Sequence, residues 1–577
     1  MSRFPAAVAA LLLAFAGGTA AAARAPGVVH IGVDASKALA TTSDQFVCWN
    51  IDASANRGFF QRDLDVSKPY GKQLAYQAAH MVARQGIGRQ RADAFSLLRF
   101  GGTGNDYLVY EFGNTTCPPP KPASPAQHVV GDIKCLNQTW WRNLLGFTDA
   151  SNARIIFGIS EPKWAGCGQG STCGPDRKSP CPPCKPWDAA NAREILVWTI
   201  AQNLDHLIYG FELGNEVDGM YTGTEQAQNL QILHNLTVEL WPDAAKRPVL
   251  LGPDAAHQDT KDSKPPFPTP RDAYVFDFFK AAGEMDLPIA GATLHKYIEV
   301  TTERDTNGSF LDETTARFSH FQDQVNNGWA ASGSAKPPPR AWGGEVGPHN
   351  GGTPPCDHSS MRWATFADSL WYADALGSSA KLGFGALCRQ DYIGADYGIL
   401  DCATGTPLPD YWTATLWNWM VGPTVLSVTI GQVAAELESG GDSNLRVYAH
   451  CTAKDNGLGG GVTLIVLNLA DEDVTVSVPP PLTKDAPTYM WQLAPEDKAG
   501  PVGGGSGLNG TGITLNGQPL RLIENNTYPS PSWGAPGKLM PDLTQFRKGI
   551  DPDGHVTLTP RSITFLNLEG GKYPACE

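Results

Sequence analysis

Leu207-Ile-Tyr-Gly-Phe-Glu-Leu213 runs directly into Gly214-Asn215-Glu216, so a short apolar segment ends on a carboxylate that sits behind an amide. An apolar run of this length, rich in β-branched and aromatic residues and closed by glycine, reads as a buried strand. The same kind of run recurs at Ser96–Phe100, Arg154–Ile159, Pro248–Gly252, Ile289–Leu294 and Pro339–Gly343. Amphipathic stretches at Asp188–Leu204, Thr224–Leu240 and Ala273–Gly283 lie between them and read as helices. Strand and helix alternating from residue 44 to residue 422 predict a (β/α)8 TIM barrel of the α/β class, in which catalytic side chains project from the C-terminal ends of the strands.

Beyond residue 422 the pattern changes. Val425–Ile430, Leu445–Tyr448, Val462–Asn468, Val474–Val478 and Ser562–Leu566 are β-branched runs separated by Gly, Asn and Pro turns, which predicts an antiparallel β-sandwich over residues 423–577. Val28–Val33, within the segment 24–43, reads as one more strand that joins this second domain. No internal repeat is evident.

Two of the strand ends carry the chemistry. Glu216 closes one, and Ala341-Trp-Gly-Gly-Glu345 places a second glutamate about three βα units later, on the fourth and seventh strands of such a barrel. Two carboxyl groups facing one bound sugar suit retaining glycoside hydrolysis, with Glu216 protonating the leaving oxygen and Glu345 attacking the anomeric carbon. The acid must keep its proton near neutral pH, which calls for a partly apolar site and a neighbouring carboxylate. Asn215 is placed to donate to the sugar 2-hydroxyl. Leu294-His295-Lys-Tyr297 brings a histidine and a tyrosine over the same cavity, where the tyrosine can hold a carboxylate ionised. Each motif alone has a plainer reading: an exposed strand end, a carboxylate in a Gly-rich turn, a surface His-Lys-Tyr. Strand alternation turns Glu212 away from its neighbours and assigns it a structural role.

Composition limits the partners. With 44 basic and 58 acidic side chains the net charge is −14, which disfavours nucleic acid and anionic lipid and leaves any anionic ligand to a local site. Arg3, the apolar run to Phe15 and the small residues Ala20–Ala23 describe a secretory signal peptide over residues 1–23. No later run of about 20 apolar residues offers a stable membrane insertion. Twelve cysteines and six Asn-X-Ser/Thr sequons, at Asn114, Asn137, Asn235, Asn307, Asn509 and Asn525, agree with export to the cell exterior, the wall or a lysosomal or vacuolar compartment. The Pro-rich segments 117–125 and 167–186 read as disulfide-held insertions. Cys167, Cys173, Cys181 and Cys184 in the second lack the paired short knuckles usual for structural zinc, so two disulfides are expected there.

Taken in order, Leu98-Arg-Phe-Gly-Gly-Thr103, Phe211–Glu216, Trp342–Glu345 with Gly351-Gly352, Cys388-Arg-Gln-Asp-Tyr-Ile-Gly-Ala-Asp-Tyr397, Pro407–Trp412 and Leu445–Cys451 resemble the heparanase family, family 79 of the glycoside hydrolases. The resemblance runs from about Asp52 to Cys576. It implies a (β/α)8 barrel with a β-sandwich that recruits an N-terminal strand, and retaining cleavage of β-glucuronides by water with no metal or organic cofactor. Glu216 resembles the acid/base and Glu345 the nucleophile; Asp52, Thr103, Asn215, Tyr297, Gly351, Gly352, Gln390 and Tyr397 resemble residues around the glucuronate. Backbone N–H groups at Gly351 and Gly352 suit a carboxylate. Cys451 and Cys576 resemble a disulfide pair that ties the last strand into the sandwich.

The chain departs from the animal members. Only the short Cys117–Cys135 insertion stands where they carry an excised linker, so a single, unprocessed mature chain is expected; a monomer is a separate expectation. Segments 127–137 and 252–271 hold few Lys or Arg, which points away from sulfated heparan. The pattern is similar to plant-type members and suggests glucuronic acid on arabinogalactan proteins or a small glucuronide. Two other readings are carried forward: a barrel hydrolase for a xyloside or arabinoside, and a glycan-binding wall protein without turnover.

Overall fold

A computed structural model describes residues 28–53, 64–81, 95–117, 134–161, 172–173, 179–180, 184–256, 263–298, 304, 306–349, 364–394, 396–401, 403–432, 444–454, 456–478, 488–498, 506–524, 538–550, 553–570 and 573–577. Residues 1–23, read above as a signal peptide, and Gly351, Gly352, Asn525, Cys167 and Cys181 lie outside the described residues. After an N-terminal strand β1 (Val29–Asp34), eight strands close a parallel barrel: β2 (Val47–Asp52), β3 (Ser96–Gly101), β4 (Ala153–Ile159), β5 (Ile208–Leu213), β6 (Val249–Ala255), β7 (Ile289–Tyr297), β8 (Arg340–Gly347) and β9 (Leu387–Arg389). A helix follows each: α1 (Pro69–Met81), α2 (Gln138–Ala150), α3 (Ala190–Ala201), α4 (Gly223–Leu240), α5 (Tyr274–Glu284), α6 (Gly308–Ala331), α7 (Phe366–Lys381) and α8 (Pro409–Met420). The first and last barrel strands, β2 and β9, escape the hydropathy pattern. One carries Asn50 amid its apolar residues, and the other is only three residues long.

Alternation along the strands decides what faces the lumen. On β3, Leu98 and Phe100 join the core between strands and helices, whereas Leu97 packs with Cys48, Ile156, Leu251, Trp342 and Cys388 in a separate apolar layer. Arg99 shares the parity of Leu97 and therefore points into the barrel, above that layer. Cys48 and Cys388 are register partners on β2 and β9, and their disulfide fastens the first strand to the last.

The second domain begins where α8 hands over to β10 (Val421–Gln432), followed by β11 (Leu445–Thr452), β12 (Val462–Asn468), β13 (Val474–Ser477), β14 (Thr488–Pro495), β15 (Ile513–Leu515), β16 (His555–Leu558) and β17 (Ser562–Leu568). The sheet order is β15-β14-β17-β12-β11-β10-β1-β13-β16, so β1 is built into the sandwich, antiparallel to β10 and parallel to β13. Val462, Leu464 and Val466 of β12 share one core with Val29, Ile31, Val476 and Leu558, while Ile465 and Leu467 face the other way and join the barrel's helices. Burial on both faces accounts for the nearly continuous apolar run of this strand. A Cys451–Cys576 disulfide ties the last residues to β11, and Cys117–Cys135 closes the first insertion. Cys184 is likewise disulfide-bonded, and its neighbours Thr172–Cys173 and Ser179–Pro180 pair as a small ribbon.

The seam between the domains buries one carboxyl. Asp374 on α7 accepts a 2.6 Å hydrogen bond from Tyr448 of β11, and burial pushes its carboxyl up to about 6 despite the nearby Arg446. A folded chain that holds this proton more tightly than the unfolded chain is stabilised fully below pH 3.8 and loses that stabilisation as the pH rises toward 6. Asp374→Asn keeps an acceptor for Tyr448 and removes the titration. Denaturant unfolding from pH 4 to 7.5 should show the wild type losing on the order of 3 kcal/mol that the variant retains; parallel curves for the two proteins would show that the seam carboxyl does not govern stability.

Candidate active site

Arg99 is the centre of the polar layer above the apolar floor. Its Nε donates to Glu212 at 2.7 Å, its Nη1 to Glu345 at 2.9 Å, and its Nη2 to Asp254 at 2.7 Å and to Asn215 Oδ1 at 3.2 Å. The four acceptors come from the ends of the fourth, fifth and seventh barrel strands or the turn just past them, so one guanidinium gauges the mouth of the barrel. Arg99 is 1% exposed, and its acidic neighbours hold it well above the usual arginine range although burial opposes the charge. An Arg fork suits this role because it offers fixed donors to several carboxylates at once.

His295 bridges the two sides. Its Nδ1 lies 2.9 Å from Glu216 Oε1 and 3.7 Å from Glu345, and its Nε2 lies 2.5 Å from Asp254 Oδ1. Burial works against a charged imidazole here, but Asp254 and Glu345 outweigh it and raise His295 well above its ordinary value. The ring is therefore an imidazolium that donates from both nitrogens. Asp254 is held below the ordinary range: burial opposes this, and Arg99 and His295 prevail. Glu212 goes the other way, pushed by burial up to about 7 in spite of Arg99. Its side chain does point opposite to Phe211 and Leu213, and that direction leads into the site.

The two glutamates differ in exposure and support. Glu345 has a side chain 7% exposed, receives Arg99 on one oxygen and the Tyr297 hydroxyl on the other, and is raised by burial, with His295 and Arg99 pulling back. Tyr297 is half-buried, and desolvation together with the adjoining Glu345 carboxylate raises its phenol well above the ordinary value, which keeps it protonated and donating. Glu216 exposes 29% of its side chain. Its backbone adopts φ +54°, with its N–H donating to the Asp254 carbonyl at 3.1 Å, a left-handed conformation uncommon for a side chain of this type. An oxygen of Glu216, a ring nitrogen of His295 and an oxygen of Glu345 all lie within 4.8 Å of one another. Such a trio matches a divalent-cation donor set, but Arg99 and the imidazolium already compensate these carboxylates, so a cation fits poorly.

Asn215 is oriented by its donors. Oδ1 accepts from Arg99 and from the Gly102 backbone N–H at 3.0 Å, which turns the Nδ2 amine the other way. Its own N–H is pinned to buried Asp106, which also takes the N–H of Glu161 at 3.0 Å. Gly102 has φ +93°, and a Cβ there would sit 2.6 Å from Asp52 Oδ1, so the turn needs glycine twice over. On the far wall, Gln390 donates to Asp52 at 2.9 Å, and Tyr397 stands edge-on to Tyr297 with ring centres 6.4 Å apart. Thr103 opens the short helical turn after β3. Asp52, Asn215, His295, Tyr297, Gln390 and Tyr397 thus gather around Glu216 and Glu345.

Arg99 and Asp254 were not singled out from the sequence. Both had a signal: an arginine at an inward position of an apolar strand, and Leu250-Leu-Gly-Pro-Asp254 repeating the strand-then-acid pattern of Glu216.

The profile of the glycosyl hydrolase family 79 N-terminal domain matches residues 28–263. Heparanase-like protein 1 of Arabidopsis thaliana is 27% identical over 66% of this chain, and the chain spans 63% of that protein's length. A baicalin-β-D-glucuronidase of Scutellaria baicalensis is 26% identical over 83% of this chain and 82% of its own. Among solved structures, a 4-O-α-L-rhamnosyl-β-D-glucuronidase of Fusarium oxysporum superposes with a TM-score of 0.56 at 11% identity, covering 94% of this chain and 100% of that one, which is agreement in fold.

Proposed function

Starting from the chain's membership of glycoside hydrolase family 79 as a heparanase-like protein, we propose that it is a retaining β-glucuronidase acting on β-linked glucuronic acid in glycans or small glucuronides. The observation that carries the reading is the approach of Glu216 and Glu345 to within 4.8 Å. Retaining enzymes hold their carboxyls about 5 Å apart so that one can bond to the sugar, whereas inverting enzymes leave room for a water between them. In the first step Glu345 attacks the anomeric carbon while Glu216 gives its proton to the departing oxygen. In the second, Glu216 takes a proton from water, which attacks the same carbon and releases Glu345. Arg99 and Tyr297 donate to Glu345 and hold it as the carboxylate that attacks; Asn215 Nδ2 is turned to meet the 2-hydroxyl. The relatives named for glucuronides support the sugar, and the acidic surface supports an aglycone other than a sulfated polyanion.

The same proposal includes export through the N-terminal signal sequence. Disulfides at Cys48–Cys388, Cys117–Cys135 and Cys451–Cys576 suit an oxidising compartment. Asn114, Asn137, Asn235, Asn307 and Asn509 are all exposed, as glycan attachment requires. No helix among the described residues is long and apolar enough to cross a membrane.

Hydrolysis of 4-nitrophenyl β-D-glucuronide by the purified secreted protein, beside the matching glucoside and xyloside, tests the reading. Release from the glucuronide alone, with the sugar freed first as the β-anomer, is expected. Release from the xyloside instead would move the enzyme to another sugar, and binding of glucuronides without release would make it a lectin-like protein.

A further inference from the structure

The last barrel strand ends on a second buried arginine that touches neither glutamate. Arg389 is 1% exposed, and its Nε and Nη2 lie 2.9 and 2.7 Å from Asp410 Oδ2 in the first turn of α8. Asp410 Oδ1 accepts from the Ser369 hydroxyl in the first turn of α7 at 2.5 Å. The aromatic rings of Trp371 and Tyr372 lie over the guanidinium at 5.8 and 5.7 Å. A buried ion pair of this kind contributes little net stability compared with apolar residues of similar volume, so its place in the barrel wall calls for another reason.

That reason lies in the remaining donors. Nη1 donates to the carbonyl of Gln390, and Nη2 to the carbonyl of Tyr397 at 3.0 Å. One planar group therefore holds both ends of the irregular segment that follows β9. Gln390 and Tyr397 both reach the site with their side chains, through Asp52 and Tyr297 respectively. The geometry points to Arg389, supported by Asp410 and Ser369, as the positioning residue that sets the sugar-binding wall opposite Glu216. This rests on the function proposed above, because it assigns Gln390 and Tyr397 to the bound glucuronate. Arg389 transmits position alone; it contacts neither substrate nor the reacting carboxylates.

Arg389→Lys keeps the charge but gives up the fork, since one ammonium on a flexible stem cannot hold Asp410 and two divergent carbonyls in fixed geometry. KM for 4-nitrophenyl β-D-glucuronide, measured well below the melting temperature, should rise about tenfold with kcat changed far less, as misplaced binding groups predict. Loss of folded protein lowers the apparent kcat and leaves KM alone, so the split separates positioning from mere destabilisation. Ser369→Ala, which removes one bond from Asp410 and no charge, should raise KM in the same direction by less. Hydrogen exchange supplies a readout that needs no turnover: the amides of Tyr392, Ile399 and Leu400 should exchange faster in Arg389→Lys while those within α8 do not. An unchanged KM in Arg389→Lys, or in Ser369→Ala should the lysine variant not fold, overturns the inference. So does unchanged exchange of the segment. A wild-type protein that turns over no glucuronide sinks the functional reading, and the exchange experiment then still decides whether Arg389 fixes the wall.

Discussion

Replacing Glu345 by glutamine lowers kcat on an aryl β-glucuronide by at least about 10³-fold, because the amide cannot form the covalent intermediate through which the proposed route passes. The side chain is buried and nearly the same size as glutamine, so the loss reflects chemistry more than folding. There is a structural cost as well: Arg99 and Tyr297 both donate toward this position, and an amide can offer only one of them an acceptor. Arg99 would keep Glu212 and Asp254 and still span the barrel mouth. Circular dichroism and the melting temperature should therefore stay close to wild type while turnover disappears. Turnover near the wild-type rate in a correctly folded variant would remove Glu345 from the nucleophile's role.

Glu216→Gln should divide substrates by their leaving group. General acid catalysis contributes about 10² to 10⁴-fold where the departing alcohol is a poor leaving group, and little where it is an activated phenol. Sugar-linked or alkyl glucuronides should therefore lose most of their turnover. With 4-nitrophenyl glucuronide the first step should survive and the second should slow for want of a base, giving a burst of nitrophenol followed by a low steady rate. Glutamine retains the Oε1 acceptor that His295 meets at 2.9 Å, and so preserves the bridge to Asp254. An equal loss on both classes of substrate, with no burst, would contradict the acid/base assignment.

The strand-and-helix alternation, the change of texture near residue 422 and the two glutamates at strand ends were legible because each rests on local chemistry. Apolar runs of strand length, helical periodicity and turn residues act over a few positions, and the barrel rule then places strand ends at the reactive face. β2 and β9 were harder to see for the same reason. Leu387–Arg389 is three residues long and becomes a strand only because β8 and β2 lie on either side to accept it. His295 and Tyr297 were visible as candidates, but their separate tasks were not: one bridges three carboxylates, and the other donates to Glu345 alone.

By itself, the sequence determined the class of architecture and the pair of carboxylates at strand ends, since both are written in patterns of neighbouring residues; the N-terminal strand was legible as a strand, and its place in the sandwich beside β10 was implied by the resemblance and is shown by the fold. Only the tertiary structure decided that Arg99 meets Glu212, Asn215, Asp254 and Glu345, that Glu212 belongs to this cluster, and that Arg389 reaches both Gln390 and Tyr397. Those contacts join residues far apart along the chain. Burial and Coulomb interaction depend on distance through space, which is set only when the barrel closes and excludes water from its mouth.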